Sequence, residues 1–481
     1  MASPAGIIYP IDSRPPLGRA TVLATQHVLT MFGATVSVPL LLGPAMGMDQ
    51  AQIATLISSV MLCSGVATLL QTTFGSRLPI VQGVSFSFLA AFFAIIAYGK
   101  GAGLAPREMM RIIAGCIIIG AVLEAAIGFS GLIGLIRRAL SPVVIGPVIM
   151  LIGLALFQHG APKAGEYWPV SGLTIVLVIV FALVLARRSR FFRVFPILSA
   201  IVLVCGLCGL LSATGVFPAG HKAHISMQWV AQSPWLRINP AEVLLPWGAP
   251  DFTHVGFIVA VFAGYLASMV ESVGDYHACS HMAGGGDPSG RQISRGIGCE
   301  GLGCLATGFL GGFSSTSYSE NIGLVGLTRV GSRYVVQIGG LLLILLGVFA
   351  KFGAFAATIP GPVVGGLYCA LFGLISAVGI QQLAKADLSS DRNLFIAGFS
   401  LFMGLSVPAY FDGYVTMYSP GAADLLAGLP ETARNIIESI GKTGMAVAAL
   451  IGVLLDNLIP GTPQERGLTR PADLKAPVIH E

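Results

Sequence analysis

Long apolar segments separated by short polar ones make up most of the chain between residues 20 and 459. A helix that crosses the hydrocarbon core of a bilayer needs about 20 mostly apolar residues. The pattern therefore predicts fourteen membrane-spanning segments, which we number 1–14 in chain order. They cover residues 20–43, 50–73, 80–98, 110–129, 140–158, 170–186, 194–213, 255–279, 294–311, 318–330, 334–354, 360–380, 393–411 and 442–459.

Composition limits the class of protein. Hydrophobic residues make up 54% of the 481 residues and charged residues only 10%, whereas soluble domains carry about 25% charged residues. So little charge excludes a soluble enzyme of this length, and so much apolar sequence excludes disorder. The formal charge of +5 comes from scattered residues, so no nucleic-acid partner is predicted. We predict an all-α polytopic membrane protein whose partner is the lipid bilayer.

Sequence signals for cofactor chemistry are weak. Cys205 and Cys208 form a C-x-x-C pair inside an apolar run, where free cysteines pack as small apolar residues. His277, Cys279 and His281 lack an acidic fourth ligand at a fixed spacing. No nucleophile-elbow, P-loop or zinc-protease motif occurs. We predict no enzyme activity, no metal and no cofactor, with only a proton as coupling ion.

The distribution of Lys and Arg predicts the orientation in the membrane. With the N-terminus inside, the 27 basic residues divide into 18 on one face and nine on the other. Cytoplasmic loops carry the excess of Lys and Arg. This favours a multi-pass protein of the cell membrane with both termini in the cytoplasm.

A short internal repeat relates segments 5 and 12. Ser-Pro-Val-Val-Ile-Gly at 141–146 resembles Gly-Pro-Val-Val-Gly-Gly at 361–366. The two runs lie seven segments apart, and an odd number of spans per half inverts the second half in the membrane. The pattern indicates two inverted repeats of seven spans, which is common in secondary transporters.

Two carboxyl groups lie within segment 8. Glu271 and Asp275 are spaced i, i+4, which places both on one face of a helix. Ionisable groups inside a span are costly and mark functional sites. Their mutual repulsion and their burial favour the protonated form of at least one of them, as proton coupling requires. The alternative is that Glu271 pairs with a basic residue elsewhere in the bundle.

Segment 10 is short and polar, and Ser319, Glu320 and Asn321 stand near its start. Irregular backbone at membrane depth survives only when it is buried in protein or lines a cavity. A half-helix beginning near Glu320 would direct free N–H groups at a ligand, with the carboxylate as an acceptor. The alternative is a short extramembrane loop followed by a capped helix.

Segment 3 opens with a matching polar stretch that contains Ser85 and Phe86. Broken segments at corresponding places in two repeats indicate a binding site, and Phe86 could stack on a flat ligand or simply pack. His27 in segment 1 could contact the ligand or serve as a structural hydrogen-bonding group. Glu124, Glu300 and Asp456 also lie in or near spans and could hold helices together.

The acidic acceptors, amide groups and aromatic ring suit a small planar solute with alternating N–H and C=O groups. A site built to hydrogen-bond such an edge rejects analogues that lack it. The residues thus predict a proton-coupled carrier for a polar heterocycle. A channel or a solute receptor remains an alternative.

The sequence resembles the nucleobase–ascorbate transporter family of uracil and xanthine permeases. Its signature, Gln/Glu/Pro-Asn-x-Gly-x4-Thr-Arg/Lys, matches residues 320–329 at every fixed position. Gln-His at 26–27, Gln-Gly-Val-Ser-Phe-Ser at 82–87 and Glu-Ser-Val-Gly-Asp-Tyr at 271–276 are also similar to the family.

The resemblance implies a fold of fourteen spans in two inverted sevens, with short antiparallel strands in segments 3 and 10. It also implies a homodimer in which a core domain slides against a gate domain. The implied divisions are an N-terminal tail (1–19), core (20–130), gate (131–213), extracytoplasmic loop (214–253), core (254–355), gate (356–460) and C-terminal tail (461–481).

The resemblance also assigns roles. Glu271 and Glu320 would hold the edge of the base, Phe86 would lie behind its ring, and Asp275 would link to proton coupling. The predicted substrate-binding residues are Glu271, Glu320, Phe86, Ser85, Asn321 and Ser319. The predicted proton-coupling residues are Asp275, Glu271 and His27.

Glutamate at the first motif position favours uracil, with wider use of xanthine and other purines. The segments around 271–276 and 328–333 resemble the purine-type and animal branches, so a xanthine/urate-specific permease is an alternative. An anion carrier of a related fold is another, although acidic residues at the start of segment 10 disfavour it. Ascorbate is disfavoured because its charge would face Glu320.

Overall fold

A computed structural model describes residues 6–411, 426 and 428–468. This part of the chain is a bundle of α-helices around one short two-stranded sheet. The first helices and strand are α1 Leu17–Met46, α2 Gln50–Thr73, β1 Gln82–Val84, α3 Leu89–Gly101, α4 Pro106–Ser130, α5 Ile133–Ala139, α6 Pro142–Ala155, α7 Phe157–Gly165, α8 Trp168–Ile179, α9 Arg190–Val194, α10 Pro196–Ala213, α11 Gln228–Gln232 and α12 Pro240–Val243.

The second half of the chain again combines long helices with one strand. It contains α13 Val255–Met282, α14 Gly290–Leu310, β2 Ser315–Ser317, α15 Ser319–Thr328, α16 Arg333–Val348, α17 Ala350–Ala356, α18 Gly361–Leu383, α19 Asp391–Phe411, α20 Glu431–Gly441 and α21 Gly444–Leu458. Short 3-10 turns occupy Phe86–Phe88 and Leu185–Arg187, and a π turn occupies Val180–Val184.

Local sequence explains several helix ends. Asp49 accepts a hydrogen bond from Gln52 N (2.8 Å), and the Gln52 side chain accepts one from Asp49 N (3.0 Å). This capping box satisfies two N–H groups that have no partner within the helix. Gly47 ends α1 in the left-handed region at φ 81°, which costs glycine little.

In the described part of the chain, nine helices are long and apolar enough to cross a membrane. They correspond to segments 1, 2, 4, 5, 6, 7, 8, 12 and 13. A tenth is obtained if α16 and α17, which meet at a bend of 83°, form one span. The remaining predicted segments contain α3, α14, α15 and α21, so the prediction of fourteen spans remains unconfirmed.

The helices pack in two groups. The first group consists of α1–α4 and α13–α17, and its closest pairs are α4 with α14 and α2 with α16. The second consists of α6–α8, α10, α18, α19 and α21, with α6 against α18 at its centre. Only 28%, 22% and 22% of the most apolar stretches of the α8, α10 and α19 spans are buried. Such apolar exposure suits contact with lipid.

The two strands pair antiparallel, with Gln82 opposite Ser317 and Val84 opposite Ser315. Ser85 N donates to Ser314 O (2.9 Å), which extends the pairing beyond the ladder. Antiparallel strands were expected, but β2 lies just before segment 10 (318–330) rather than inside it. The reason is that the polar residues 314–317 form the strand and the helix begins only at Ser319.

The segment between α10 and α13 contacts both helix groups. Its first part packs Phe217 against Val204 and Val363 of the second group. Its later part bonds to the first group, where Arg237 N donates to Val348 O (2.8 Å) and Trp247 Nε1 donates to Gly311 O (2.8 Å). One continuous segment therefore joins the two groups on this face.

Candidate substrate site

The candidate site forms where the two strands meet α13. β2 leads through Tyr318 into α15, and β1 leads through Ser85 into the turn Phe86–Phe88 and α3. α13 contacts β2, α15 and that turn. The polar starts of two short helices are therefore brought against the helix that carries the predicted carboxyl pair.

Asp275 is held by two hydroxyl groups. Ser317 Oγ donates to Asp275 Oδ2 (2.7 Å) and Ser319 Oγ donates to Oδ1 (2.8 Å). Asp275 is 8% exposed. Hydrogen bonds to a charged acceptor are stronger than those between neutral groups, so Asp275 connects α13 to the junction of β2 and α15.

Glu271 and Glu320 lie beside Asp275 without comparable partners. Glu271 is half-buried and Glu320, in the first turn of α15, is exposed. Glu271 lies within electrostatic range of Asp275 and Glu320. Lys385, just beyond the end of α18, lies within electrostatic range of Asp275. The structure therefore places three acidic groups together, with one lysine near enough to act on Asp275.

Asn321 is joined to His27 of α1. Asn321 Nδ2 donates to His27 O (3.0 Å) and lies 3.1 Å from His27 Nδ1. Both side chains are buried, and this contact holds α15 to α1. It gives His27 a structural hydrogen bond, which was one of the two alternatives for this residue.

Ser85 and Phe86 occupy the opposite strand end. Ser85 Oγ accepts a hydrogen bond from Ser87 N (3.2 Å) and so caps the turn Phe86–Phe88. Phe86 is half-buried against the main core. Ser85 thus has a local role, while the ring of Phe86 remains partly accessible.

A fourth carboxyl group, Glu300 of α14, lies behind the site. Glu300 Oε1 accepts from Ser272 Oγ (2.7 Å) and Ser268 Oγ (3.2 Å), and Oε2 accepts from Tyr276 Oη (2.8 Å). Ser272 Oγ also lies 3.0 Å from Ser317 Oγ. A chain of hydroxyl groups therefore links Glu300 to Asp275.

Glu124 of α4 is buried near Glu300, and its two carboxyl oxygens have no hydrogen-bond partner within the described chain. The helices meet closely there, since a Cβ added to Gly301 would lie 2.5 Å from Ala125 N. The sequence marked both glutamates without assigning them to the site. Their proximity depends on this helix packing, which single-sequence patterns do not reveal.

Tyr318 is a residue that the sequence analysis missed. Its hydroxyl donates to Val84 O (2.9 Å) and accepts from Thr35 Oγ1 (3.2 Å). Its ring covers Gly83, where an added Cβ would lie 2.5 Å from Tyr318 Cζ. The Gln-Gly-Val run at 82–84 contains a signal for this contact, because a glycine inside a strand indicates close approach of another group.

A cavity of about 1210 Å³ lies between the two helix groups. Phe93, His159, His254 and Lys442 line it, and no predicted substrate-binding residue does. The carboxyl cluster therefore contributes no residue to the wall of this cavity.

Three carboxyl groups can accept hydrogen bonds from a neutral solute with several N–H groups.

Residues 18–413 match the family Xan_ur_permease, described as a permease family. The rat protein "Solute carrier family 23 member 1" is 38% identical over 507 residues, covering 96% of this chain and 82% of the relative. The chain belongs to the nucleobase–ascorbate transporter family. "Nucleobase-ascorbate transporter 2" of Arabidopsis thaliana is 35% identical, covering 96% of this chain and 90% of the relative.

Solved structures of low sequence identity share the fold of this nucleobase–ascorbate transporter. The transmembrane domain of a cyanobacterial bicarbonate transporter, BicA, has a TM-score of 0.53 at 14% identity, covering 94% of this chain and 99% of that one. The murine anion transporter Slc26a9, in an inward-facing state, has a TM-score of 0.58 at 12% identity, covering 84% and 69%. The family relationship also confirms the prediction that the chain is a transporter rather than an enzyme.

In this nucleobase–ascorbate transporter, the family signature forms α15 and its end. Glu320 and Asn321 stand in the first turn, and Thr328 Oγ1 donates to Leu324 O (2.8 Å) in the last. Arg329 ends the helix in the left-handed region at φ 58°, and its carbonyl accepts from Ile8 N (2.9 Å). The signature thus combines the polar start of a short helix with the residues that end it.

Proposed function

We propose that this transporter carries a nucleobase into the cell together with protons, with uracil as the first choice and xanthine or other purines as further substrates. The observation that carries the proposal is the group Glu271, Asp275 and Glu320, which brings three carboxyl groups together beside β2 and the start of α15. Carboxyl groups that repel one another and are partly buried are costly, so they require a functional reason.

The carboxylates suit the edge of a nucleobase. A neutral pyrimidine or purine presents N–H donors beside C=O acceptors, and carboxylates accept from the former. Glu320 is exposed at the start of α15 and Glu271 is half-buried. A ligand in a cleft can therefore reach the carboxylates of both residues. Ser319, Asn321, Ser85 and the ring of Phe86 complete the proposed substrate shell.

Proton coupling is proposed to act through Asp275, with Glu271 as the second titrating group. A bound substrate shields Asp275 from water, and protonation of Asp275 removes the cost of a charge held away from water. Substrate binding and proton binding therefore favour each other. The hydroxyls of Ser317 and Ser319 can rotate to serve either protonation state of Asp275. His27 remains a proposed contributor through Asn321.

The two helix groups correspond to the proposed core and gate domains. The carboxyl cluster lies wholly in the first group, so a slide of that group past the second would carry the substrate across the membrane. We propose this elevator-type motion in a homodimer of the cell membrane, with both termini in the cytoplasm. The domain boundaries and inverted repeats given above belong to the same proposal.

Counterflow of labelled uracil in proteoliposomes tests the proposed function. A carrier shows exchange stimulated by uracil on the opposite side, whereas a channel does not. The Glu271→Gln variant should lose at least nine-tenths of this exchange, because the amide replaces one acceptor oxygen by a donor. About tenfold corresponds to the loss of one strong charged hydrogen bond.

Glu166→Gln serves as the matched control, because Glu166 pairs with Lys163 outside the site (2.8 Å). Uracil exchange at the wild-type rate in Glu271→Gln would show that Glu271 does not bind the substrate. Competition by xanthine, urate, hypoxanthine, thymine, ascorbate and bicarbonate ranks the substrates. Preference for xanthine or urate would mean that uracil is not the main substrate. Preference for bicarbonate would contradict the proposal that the substrate is a nucleobase.

A further inference from the structure

A cavity of about 480 Å³ is lined in part by the segment between α10 and α13. Its wall contains the start of α2, Arg107 of α4 and residues of that segment. It shares no lining residue with the carboxyl cluster, and its charge is opposite. Two arginines line it, and Glu242 is the single acidic residue among the described lining residues.

Arg237 is a buried cation at this cavity. Its side chain is 5% exposed, and its guanidinium donates to Thr55 O (3.3 Å), Ser59 Oγ (3.4 Å) and Glu242 O. In the part of the chain that the structure describes, no carboxylate oxygen lies within 4.0 Å of it. Burial lowers the pKa of the Arg237 guanidinium, and the charge of Glu242 only partly opposes this effect. An anion would therefore be favoured beside it.

Further donors point to the same ligand chemistry. Arg107 donates through Nε to Trp247 O (2.8 Å), which fixes the guanidinium at the cavity wall. Trp229 Nε1 is shielded from solvent and has no hydrogen-bond acceptor among the described residues. Two guanidinium groups and an indole N–H can together bind an oxyanion.

The rest of the lining is mostly apolar, with the rings of Trp229 and Trp247, Pro234, Pro246 and several alanines. Binding pockets combine such apolar walls with a few placed polar groups. We propose that this cavity binds a small carboxylate with an apolar or aromatic body, at a site separate from the transported substrate. The carboxylate contacts Arg237, Arg107 and Trp229 Nε1, and the body packs between the indole rings.

Titration calorimetry on the full-length protein in detergent tests this site with benzoate as the probe. We expect a dissociation constant below about 1 mM, a reasonable affinity for so small a ligand. Benzamide has the same shape without the charge and should bind at least tenfold more weakly. Sulfate tests whether charge alone is sufficient, and tighter binding of sulfate than of benzoate would overturn the assignment to carboxylates with an apolar body.

Variants separate binding from folding. Trp229→Phe keeps the ring and removes only the N–H, so benzoate affinity should fall about tenfold. Arg107→Gln should weaken binding by at least as much. Arg111→Gln is the matched control, because Arg111 lies on the same helix and donates to Ala249 O (2.7 Å) without lining this cavity.

Absence of benzoate binding up to about 10 mM, equal binding of benzamide, or unchanged affinity in Trp229→Phe and Arg107→Gln would each overturn the proposal. Uracil is absent from these titrations, so their outcome is independent of the proposed transport function. Arg237→Gln adds a further test only if its thermal unfolding matches that of the wild type.

Discussion

The amide of Asn321 donates a hydrogen bond to the backbone oxygen of His27 at 3.0 Å, and it also meets the His27 imidazole at 3.1 Å. The two residues are 294 positions apart in sequence, yet this contact fixes the first turn of α15 against α1. The proposed substrate-binding carboxylate of Glu320 is the neighbour of Asn321, so its position depends on a residue in the first helix.

Asn321→Ala should reduce thermal stability and weaken substrate binding together. The variant leaves the buried His27 imidazole without this partner and removes the Asn321 hydrogen bond to the His27 carbonyl, which costs about 1–3 kcal/mol in free energy of unfolding. Thermal unfolding in detergent measures the loss. Asn457→Ala is the control, since its amide donates to Ala139 O at an exposed position (3.1 Å). Equal losses of thermal stability in the two variants would show that the His27 contact contributes no more than an exposed hydrogen bond.

Asp275→Asn should separate exchange from accumulation. The amide is similar in shape and the hydroxyls of Ser317 and Ser319 can reorient, so the fold and uracil counterflow are expected to persist. Accumulation driven by an inward proton gradient should fall by at least tenfold, because the side chain no longer binds a proton. Uptake measured with and without the gradient gives the ratio. Asp391→Asn, at an exposed helix start, should leave the ratio unchanged, and a similarly unchanged ratio in Asp275→Asn would contradict its role.

Glu320→Gln should shift the substrate preference from uracil toward xanthine or urate. The amide can donate as well as accept, so it matches a ligand edge with more acceptors. Competition against labelled uracil and labelled xanthine should change the ratio of apparent affinities by about tenfold, as for one strong hydrogen bond. Glu166→Gln again serves as the control. An unaltered ranking of substrate affinities would mean that residue 320 does not determine which base is bound.

Gly83→Ala should destabilise the strand pair. An added Cβ would lie 2.5 Å from Tyr318 Cζ and 2.9 Å from its hydroxyl oxygen, and that hydroxyl is fixed by Val84 and Thr35. Overpacking of this kind costs about 1–3 kcal/mol. Thermal unfolding should show the loss, whereas Gly101→Ala, with no atom within 4 Å of the new Cβ, should be near neutral. A wild-type unfolding temperature for Gly83→Ala would show that Tyr318 moves freely.

Much of the helical framework follows from hydropathy, because each crossing helix needs its own apolar run. The polar break at 314–321 was also visible, since hydroxyl and carboxyl groups within apolar surroundings are costly. The contacts of Glu300 with Ser268, Ser272 and Tyr276 were not predicted, because they depend on how α14 packs against α13. The buried environment of Arg237 was hidden for the same reason, since its partners lie in α2 and in the segment between α10 and α13.

The segment between α10 and α13 has a mechanical consequence. Ile225 N donates to Ser212 Oγ in the second helix group (3.1 Å), and Val230 O accepts from Lys351 Nζ in the first (2.8 Å). The chain between these anchor points can extend to about 18 Å at most. While both contacts hold, the length of this stretch limits how far the proposed sliding motion can carry one helix group past the other.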